Sequence, residues 1–415
     1  MRSRYSVGLS NAVCTGCSCL CDDIEIELEG NSIARIKNAC IKGASFFYAA
    51  DAWQWRAPYL IGKREVTGEQ AIERAAELLK QSRHPLIFGF DNSTIEAQAS
   101  AIELARILGA VIDDCSSFCQ GELVLHILNG TLPTCPLSEV KDTDLIIYWG
   151  ANPYHSHPRH LSKFSYYAHE RYQEAGWIPK VTLVSIEVRE TETTLLSRPS
   201  LKILPGEDGK LIGSILSTIR GQEEGEEAKT IVDLMKNAQF CVIFVGLGLT
   251  YALDGDFSLF AEMIRELGKW TRIGVIPMVG HFNMRGFNHL LFQKTGYINK
   301  VSFADGTSYG PGFSLLEQLR NHLPDCLLIA GTDPFSSLPG HLIDNLKDVT
   351  IISLDPFITS TTKASAVVFG TAVSGLEAGG RAVRMDGTEV PMLPVREGRL
   401  SDEQILKLLL ERVSR

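Results

Sequence analysis

The chain has 415 residues, 45% hydrophobic and 21% charged, with 40 Lys and Arg against 49 Asp and Glu for a formal net charge of −9. That length can bury a large core and calls for two or three domains. The acidic balance excludes a general nucleic-acid or anionic-membrane binder, which needs a basic field.

Taken in chain order, the basic start Met1-Arg2-Ser3-Arg4-Tyr5 is followed by no apolar stretch, so no signal peptide is expected. No run approaches the roughly 18 apolar residues of a membrane span, and the cytoplasm is the expected location. Ten cysteines in such a chain do not read as a disulfide framework. Five of them, Cys14, Cys17, Cys19, Cys21 and Cys40, crowd the first tenth, while Cys115, Cys119, Cys135, Cys241 and Cys326 are scattered. Alternating residues at 23–28 and 32–36, around a turn at 29–31, predict a β-hairpin that returns Cys40 to the first three cysteines. Three clustered thiolates and one remote thiolate suit a [4Fe–4S] cube on Cys14, Cys17, Cys21 and Cys40. A four-cysteine zinc site is the alternative, although zinc ribbons more often show two Cys-x2-Cys pairs. Cys19 reads as a small packed side chain. Lys42 is either a solvated lysine or a cation between the cluster and a second redox centre.

From about residue 66 the texture is α/β. Apolar runs of strand length stand at 86–90, 110–113, 145–150, 181–185, 241–246, 273–277, 326–331 and 350–355. Helical periodicity lies between them, as at 95–108 before Gly109, and a final helix begins at Ser401 with Ile405, Leu408 and Leu409 lining one face. Strands apolar on both faces and alternating with helices predict two doubly wound parallel sheets. Residues 221–227 and 306–313 read as loops. No internal repeat is read beyond two like-built turns, Gly150-Ala151-Asn152-Pro153 and Gly331-Thr332-Asp333-Pro334. Both stand at carboxyl ends of strands, where open α/β sheets bind ligands. Gly246 and Gly248 make a weak Gly-x-Gly after another strand. His155, His157 and His160 fall within six residues, but Pro158 breaks the helical spacing a metal site would use. Asp208 reads as an acid at a helix N-terminus, and Cys119 as a buried cysteine, with Gly121 after it allowing close backbone approach.

Five segments carry a family resemblance: Cys14–Cys21 running into 21–24, Asn-Ala-Cys-Ile-Lys-Gly at 38–43, 109–121 with Ser-Ser-Phe-Cys-Gln-Gly, Tyr-Trp-Gly-Ala-Asn-Pro-Tyr-His-Ser-His-Pro-Arg-His at 148–160, and Gly-His-Phe-Asn-Met-Arg-Gly-Phe-Asn at 280–288. Over nearly its whole length the chain resembles the B-type subunit of formylmethanofuran dehydrogenase, in the molybdopterin oxidoreductase superfamily.

The resemblance implies a bis-pterin tungsten or molybdenum centre on Cys119, two molybdopterin guanine dinucleotides and one [4Fe–4S] cluster. It places Gln120, His155, His157, His281 and Arg285 at the reaction site. It gives cofactor contacts to Lys42, Gly121, Gly150, Asn152, Pro153, Arg159, Glu187, Gly206, Asp208, Gly246, Gly248, Gly331, Thr332, Asp333, Thr361 and Glu377. Two positions depart from the superfamily pattern: Gln120 replaces the usual His, and Val279 stands where an arginine is expected. The implied domains are a cluster domain at 1–60, one pterin-dinucleotide domain at 61–140 plus about 290–415, and another at 141–290. The superfamily's C-terminal barrel domain is expected to be lacking.

The implied reaction is reversible reduction of CO2 to formate, which a partner condenses with methanofuran. Implied partners are an amidohydrolase-like subunit, a separate subunit equivalent to the C-terminal barrel domain, and further iron–sulfur electron-transfer subunits. The alternatives are a redox-silent subunit of a formyltransferase/hydrolase complex, another formate dehydrogenase-like enzyme, or an electron-transfer module carrying only the cube.

Overall fold

A computed structural model describes residues 8–168, 181–222 and 225–415. It divides into two compact units. The first holds the residues up to Ser117, His281–Arg384 and Glu389–Arg415, and the second holds Phe118–Gly280 with Met385–Thr388. Among the described residues, no helix is long and apolar enough to cross a membrane.

The first unit opens with a three-stranded antiparallel sheet, Gly8–Ala12, Ile24–Glu29 and Ser32–Lys37. The last two strands are the hairpin expected from the alternation. Gly30, with φ +66°, turns between them, a left-handed conformation that only glycine adopts without strain. Helix Ile41–Asp51 follows at once, with Cys40 as its N-cap.

This N-terminal segment belongs to the first unit, whereas the sequence suggests a separate domain over 1–60. Polar ties account for the difference. Arg56 forms a two-pronged pair with Glu377 at 2.7 and 2.8 Å, and Arg396 bonds both Glu377 at 2.9 Å and Asp51 at 2.5 Å. The Thr15 hydroxyl donates to the Ser374 carbonyl at 2.8 Å.

The main sheet of this unit has nine strands. Its centre is parallel, in the order Val367–Phe369, Thr350–Leu354, Cys326–Ala330, Pro85–Gly89, Val111–Asp113. The strands Pro85–Gly89 and Cys326–Ala330 are buried throughout, which is why they read as unbroken apolar runs. Helices Gly68–Gln81, Ile95–Leu108 and Asp402–Val413 cover one face through Ala75, Leu79, Ala101, Ile405 and Leu409. The predicted ends hold: Gly109 closes its helix at φ +61°, and Ser401 begins the last one with a reciprocal capping box.

The sheet is not wholly parallel. Short antiparallel strands flank it, Leu60–Ile61 on one edge and Val301–Ser302 on the other. Residues 306–313, read as loop, contribute the two-residue edge strand Ser308–Tyr309. Strands of two residues carry too little periodicity to be seen in a sequence.

The second unit is built on a five-stranded parallel sheet, ordered Ser200–Lys202, Thr182–Glu187, Leu145–Trp149, Phe240–Val245, Arg272–Pro277. Ile147, Trp149, Ile243 and Val245 pack against Leu211, Ile215, Phe257, Phe260 and Ile264 from its helices.

The order of this sheet matches the parallel centre of the first unit. Leu145–Trp149 corresponds to Cys326–Ala330, its neighbours Thr182–Glu187 and Ser200–Lys202 to Thr350–Leu354 and Val367–Phe369, and the far pair to Pro85–Gly89 and Val111–Asp113. In the first unit that far pair comes earliest in the chain; in the second it comes last. The two sheets are therefore a structural repeat in permuted chain order. This corrects the expectation of no repeat, because permutation hides a fixed period from any scan along the sequence.

Candidate cofactor sites

The N-terminal cysteines form one cluster. Cys14, Cys17 and Cys21 are buried and Cys40 is half-buried. The Cys14 N–H donates to the Cys21 carbonyl at 2.9 Å, and the Leu20 N–H to the Cys17 carbonyl at 3.2 Å, closing the loop on itself. Gly43, one turn into the helix, donates its N–H to Cys40 Sγ at 3.4 Å. A Cβ added at Gly43 would stand 2.8 Å from Cys14 Sγ and 3.9 Å from Cys40 Sγ, so only glycine lets the helix approach these thiols.

Burial pushes the Cys14 thiol up to about 12, with Cys17, Cys21 and Cys40 adding to the rise, so the four share one electrostatic environment. A thiol hydrogen bond from Cys19 and the nearby Lys42 ammonium bring Cys17 down to about 7 against its burial. Cys19 is fully buried against Cys17, the packed position expected of it. Among the described residues, no three of these sulfurs lie within 4.8 Å of one another.

Each unit carries the same device at its strand ends. In the second unit, Gly150 adopts φ +57° and Asn152 caps the short helix Pro153–Ser156. Asn152 accepts from the Thr193 hydroxyl at 2.6 Å and donates to Glu192 at 3.2 Å. In the first unit, Gly331 adopts φ +62° and Asp333 caps Pro334–Ser337. Asp333 accepts from the Thr361 hydroxyl at 2.5 Å and from the Thr361 N–H at 2.9 Å. Burial would raise Asp333, but bonds from Ser336 and Thr361 hold it below its usual value.

Thr193 and Thr361 sit on matching short helices, Glu192–Leu196 and Ser360–Ala364. Each helix has a Thr capping box, Thr191 with Thr194 and Thr359 with Thr362, and Ser197 or Ser365 bonded back to the buried Thr carbonyl at 2.8 Å. The sequence reading names Thr361 but misses Thr193. The signal that finds it is Thr-x-Thr-Thr-x-x-Ser, present at both 191–197 and 359–365.

Backbone meets backbone beside these turns. A Cβ on Gly150 would stand 2.5 Å from the Leu249 nitrogen, and one on Gly246 2.0 Å from the Gly150 carbonyl oxygen. Gly248 donates its N–H to that oxygen at 3.2 Å. In the first unit Asn92 holds the Gly331 carbonyl at 2.8 Å. Gly246→Ala is expected to force the two loops apart and destabilise the protein by about 1–3 kcal/mol, the usual range for overpacking. Urea unfolding measures it, and Gly209→Ala, where an added Cβ has only the Leu253 side chain at 3.9 Å, should fall within about 0.5 kcal/mol.

The remaining residues scatter in their roles. Cys119 is half-buried, between the turn Cys115–Phe118 and helix Gly121–Leu128. Gln120 is fully buried; its amide donates to the Val245 carbonyl at 3.0 Å, and its amide oxygen has no hydrogen-bond partner. His157 is taken up structurally, with Ser156 on Nδ1 and the Val279 carbonyl on Nε2, each at 2.8 Å. His155 is exposed and pairs with Glu192 at 3.0 Å. His160 is buried between Phe244 and Tyr148, and burial lowers it to about 3.

Asp208 begins helix Asp208–Ile219, as expected, and accepts from the Trp149 indole at 2.8 Å. Glu187 receives the Val188 N–H. Gly206 turns at φ +83°, and Arg159 lies half-buried before helix His160–Lys163. Arg285 is buried on helix Met284–Thr295. Both Glu377 oxygens are bonded to Arg56, and Arg396 and the Val373 N–H add to them.

Two like-built α/β sheets with glycine turns at their strand ends, behind a cysteine loop, define a fold of the molybdopterin oxidoreductase type. Acetylene hydratase from Pelobacter acetylenicus shares it at a TM-score of 0.70 and 12% identity, over 97% of this chain and 69% of that one. So does a chain of the formyltransferase/hydrolase complex FhcABCD from Methylorubrum extorquens, solved with methylofuran, at 0.71 and 20% identity over 86% and 98%. No family model matches the sequence. The B-type subunit of the tungsten-containing formylmethanofuran dehydrogenase 2 of Methanocaldococcus jannaschii is 34% identical over 97% of this chain and 98% of its own length. The chain belongs to the family of formylmethanofuran dehydrogenase B-type subunits, which is an oxidoreductase family.

Proposed function

We propose that the chain is the redox subunit of a formylmethanofuran dehydrogenase, reducing CO2 reversibly to formate that a partner subunit condenses with methanofuran. The observation that carries this reading is the assembled quartet Cys14, Cys17, Cys21 and Cys40, with Gly43 left bare beside Cys14 and Cys40. A redox-silent scaffold has no use for four thiols gathered in one loop and at one helix start, with a glycine kept bare beside two of them.

The quartet would hold one [4Fe–4S] cluster, and Lys42 supplies a positive charge on its Cys17 side. Cys119 would hold tungsten or molybdenum, a soft thiolate for a soft centre. The paired strand-end turns support two pterin dinucleotides, one to each unit, because glycine backbones there leave room for bulky phosphates. The bound metal–pterin group supplies the two-electron chemistry; the protein supplies position and electrostatics. Gln120 cannot shuttle a proton as an imidazole would. Its buried amide oxygen can instead accept one hydrogen bond from a bound group. The implied partners are an amidohydrolase-like subunit, a subunit equivalent to the barrel domain, and iron–sulfur electron carriers.

Metal analysis and acid extraction of the native complex test the reading. The expected result is about four irons, one tungsten or molybdenum and two pterin guanine dinucleotides per chain, with absorbance that bleaches on dithionite. Iron without tungsten, molybdenum or pterin would leave a simple electron-transfer module. Absence of all of them would favour the redox-silent alternative that Gln120 and Val279 allow.

A further inference from the structure

A second group of metal-ligating side chains lies in the first unit; of its members only His281 has been named before, among the residues that the family resemblance places at the reaction site. Asp91 follows strand Pro85–Gly89, Cys115 follows strand Val111–Asp113, and His281 precedes helix Met284–Thr295. One ligand atom from each lies within 4.8 Å of the other two. Asp91 and Cys115 are buried, and His281 is half-buried.

The backbone holds the three in register. The Cys115 N–H donates to Asp91 Oδ2 at 3.2 Å, the Asn283 N–H to the Asp91 carbonyl at 2.9 Å, and the Phe282 N–H to Asn92 Oδ1 at 3.3 Å. The loop carrying His281 is thus tied to the loop carrying Asp91. A separate observation points to a cation. Asp91 is 1% exposed, and its other oxygen, Oδ1, is buried without a hydrogen-bond donor. Its neighbour Asp114 is a second buried acid, and burial together with the Asp91 carboxylate holds its carboxyl well above the usual range. A bound cation would neutralise the negative charge crowded between these two buried acids.

We propose that Asp91, Cys115 and His281 form a mononuclear site for a divalent transition cation of the zinc type, with a donor set that shares no residue with the N-terminal cysteines or with Cys119. One carboxylate, one thiolate and one imidazole are donors that zinc takes together. Three protein ligands leave a fourth position for water or a small oxygen anion, as in catalytic rather than closed structural zinc sites. On binding, the Cys115 S–H bond breaks, the thiolate goes to the metal and the proton to solvent.

The test uses the full-length chain, purified anaerobically, loaded with zinc and passed through a weak chelator. Expected are about one retained zinc per chain and a zinc-edge absorption spectrum with one sulfur neighbour near 2.3 Å and nitrogen or oxygen neighbours near 2.0–2.2 Å. Cys115→Ser and His281→Gln should each weaken zinc binding at least tenfold with iron content unchanged. His281→Gln, at a half-exposed position, keeps the test valid if the buried Cys115 variant does not fold. Three results each overturn the proposal: no retained zinc, zinc surrounded by sulfur alone (occupation of the N-terminal cysteines), or unaltered retention in His281→Gln.

Discussion

Replacing Cys119 by Ser is expected to strip the complex of tungsten or molybdenum and reduce formylmethanofuran dehydrogenase activity to below about one-hundredth, while iron per chain stays unchanged. Even partners that only orient a metal ligand change affinity or activity by about 10–100-fold, so losing the ligand itself costs more. A serine hydroxyl is a hard donor with a far higher pKa than a thiol and does not replace thiolate at a soft centre. Cys119 lies in the short link between the turn Cys115–Phe118 and helix Gly121–Leu128, so the substitution does not open the core. Metal analysis beside an activity assay decides the matter. Retained tungsten or molybdenum in Cys119→Ser would remove Cys119 from its proposed role. Parallel loss of iron would instead mean a folding defect. Cys14→Ser should give the opposite pattern, with iron lost first.

The second large effect is on stability. Glu377→Ala should destabilise the protein by about 3–5 kcal/mol, because it leaves two buried guanidinium groups facing each other without their shared carboxylate. The side chains of Arg56, Arg396 and Glu377 are each no more than 8% exposed, so water cannot take the carboxylate's place. Arg396 keeps Asp51, and Arg56 keeps the Ala50, Pro356 and Thr371 carbonyls, but none of those carbonyls carries a full charge. Glu377→Gln retains the shape and should cost less than the alanine.

The pH dependence follows from the same contacts. Burial alone would raise the Glu377 carboxyl, but Arg56, the Val373 N–H and Arg396 together hold it below the ordinary carboxylate range. A carboxyl lowered on folding contributes stability that is present above its unfolded pKa of about 4.3 and lost as pH falls through the folded value. The gap between wild type and Glu377→Gln should therefore be full at pH 7, begin to narrow below about pH 4.3 and vanish only below the lowered folded value. Urea unfolding across that pH range measures it. A gap that widened in acid would show that Glu377 is not held as an ion. The family resemblance implies a cofactor contact for Glu377. With both oxygens committed to Arg56, its role in the described structure is to tie the N-terminal segment to the rest of its unit.

Much of the fold could be read directly. The long strands appear as apolar runs because parallel sheets are covered on both faces. The helix ends at Gly109 and Ser401 follow from local capping chemistry. The short antiparallel edges and the permuted repeat could not be read, since pairing between strands far apart in the chain leaves no local pattern.

The site divides along the same line. By itself, the sequence determined the cysteine quartet, the two glycine turns and Cys119 as candidates. Thiols, glycines and Asx-Pro turns carry chemistry or backbone freedom that their residue types alone declare. Only the tertiary structure decided which side chains were already engaged. His157 is held at both nitrogens, Asp208 bonds Trp149, and Glu377 is locked between arginines. It also brought together Asp91, Cys115 and His281, residues 24 and 166 positions apart along the chain. A hydrogen bond or a metal donor set depends on distances of a few ångströms, and three loops far apart in the chain meet at that range only once the unit has folded.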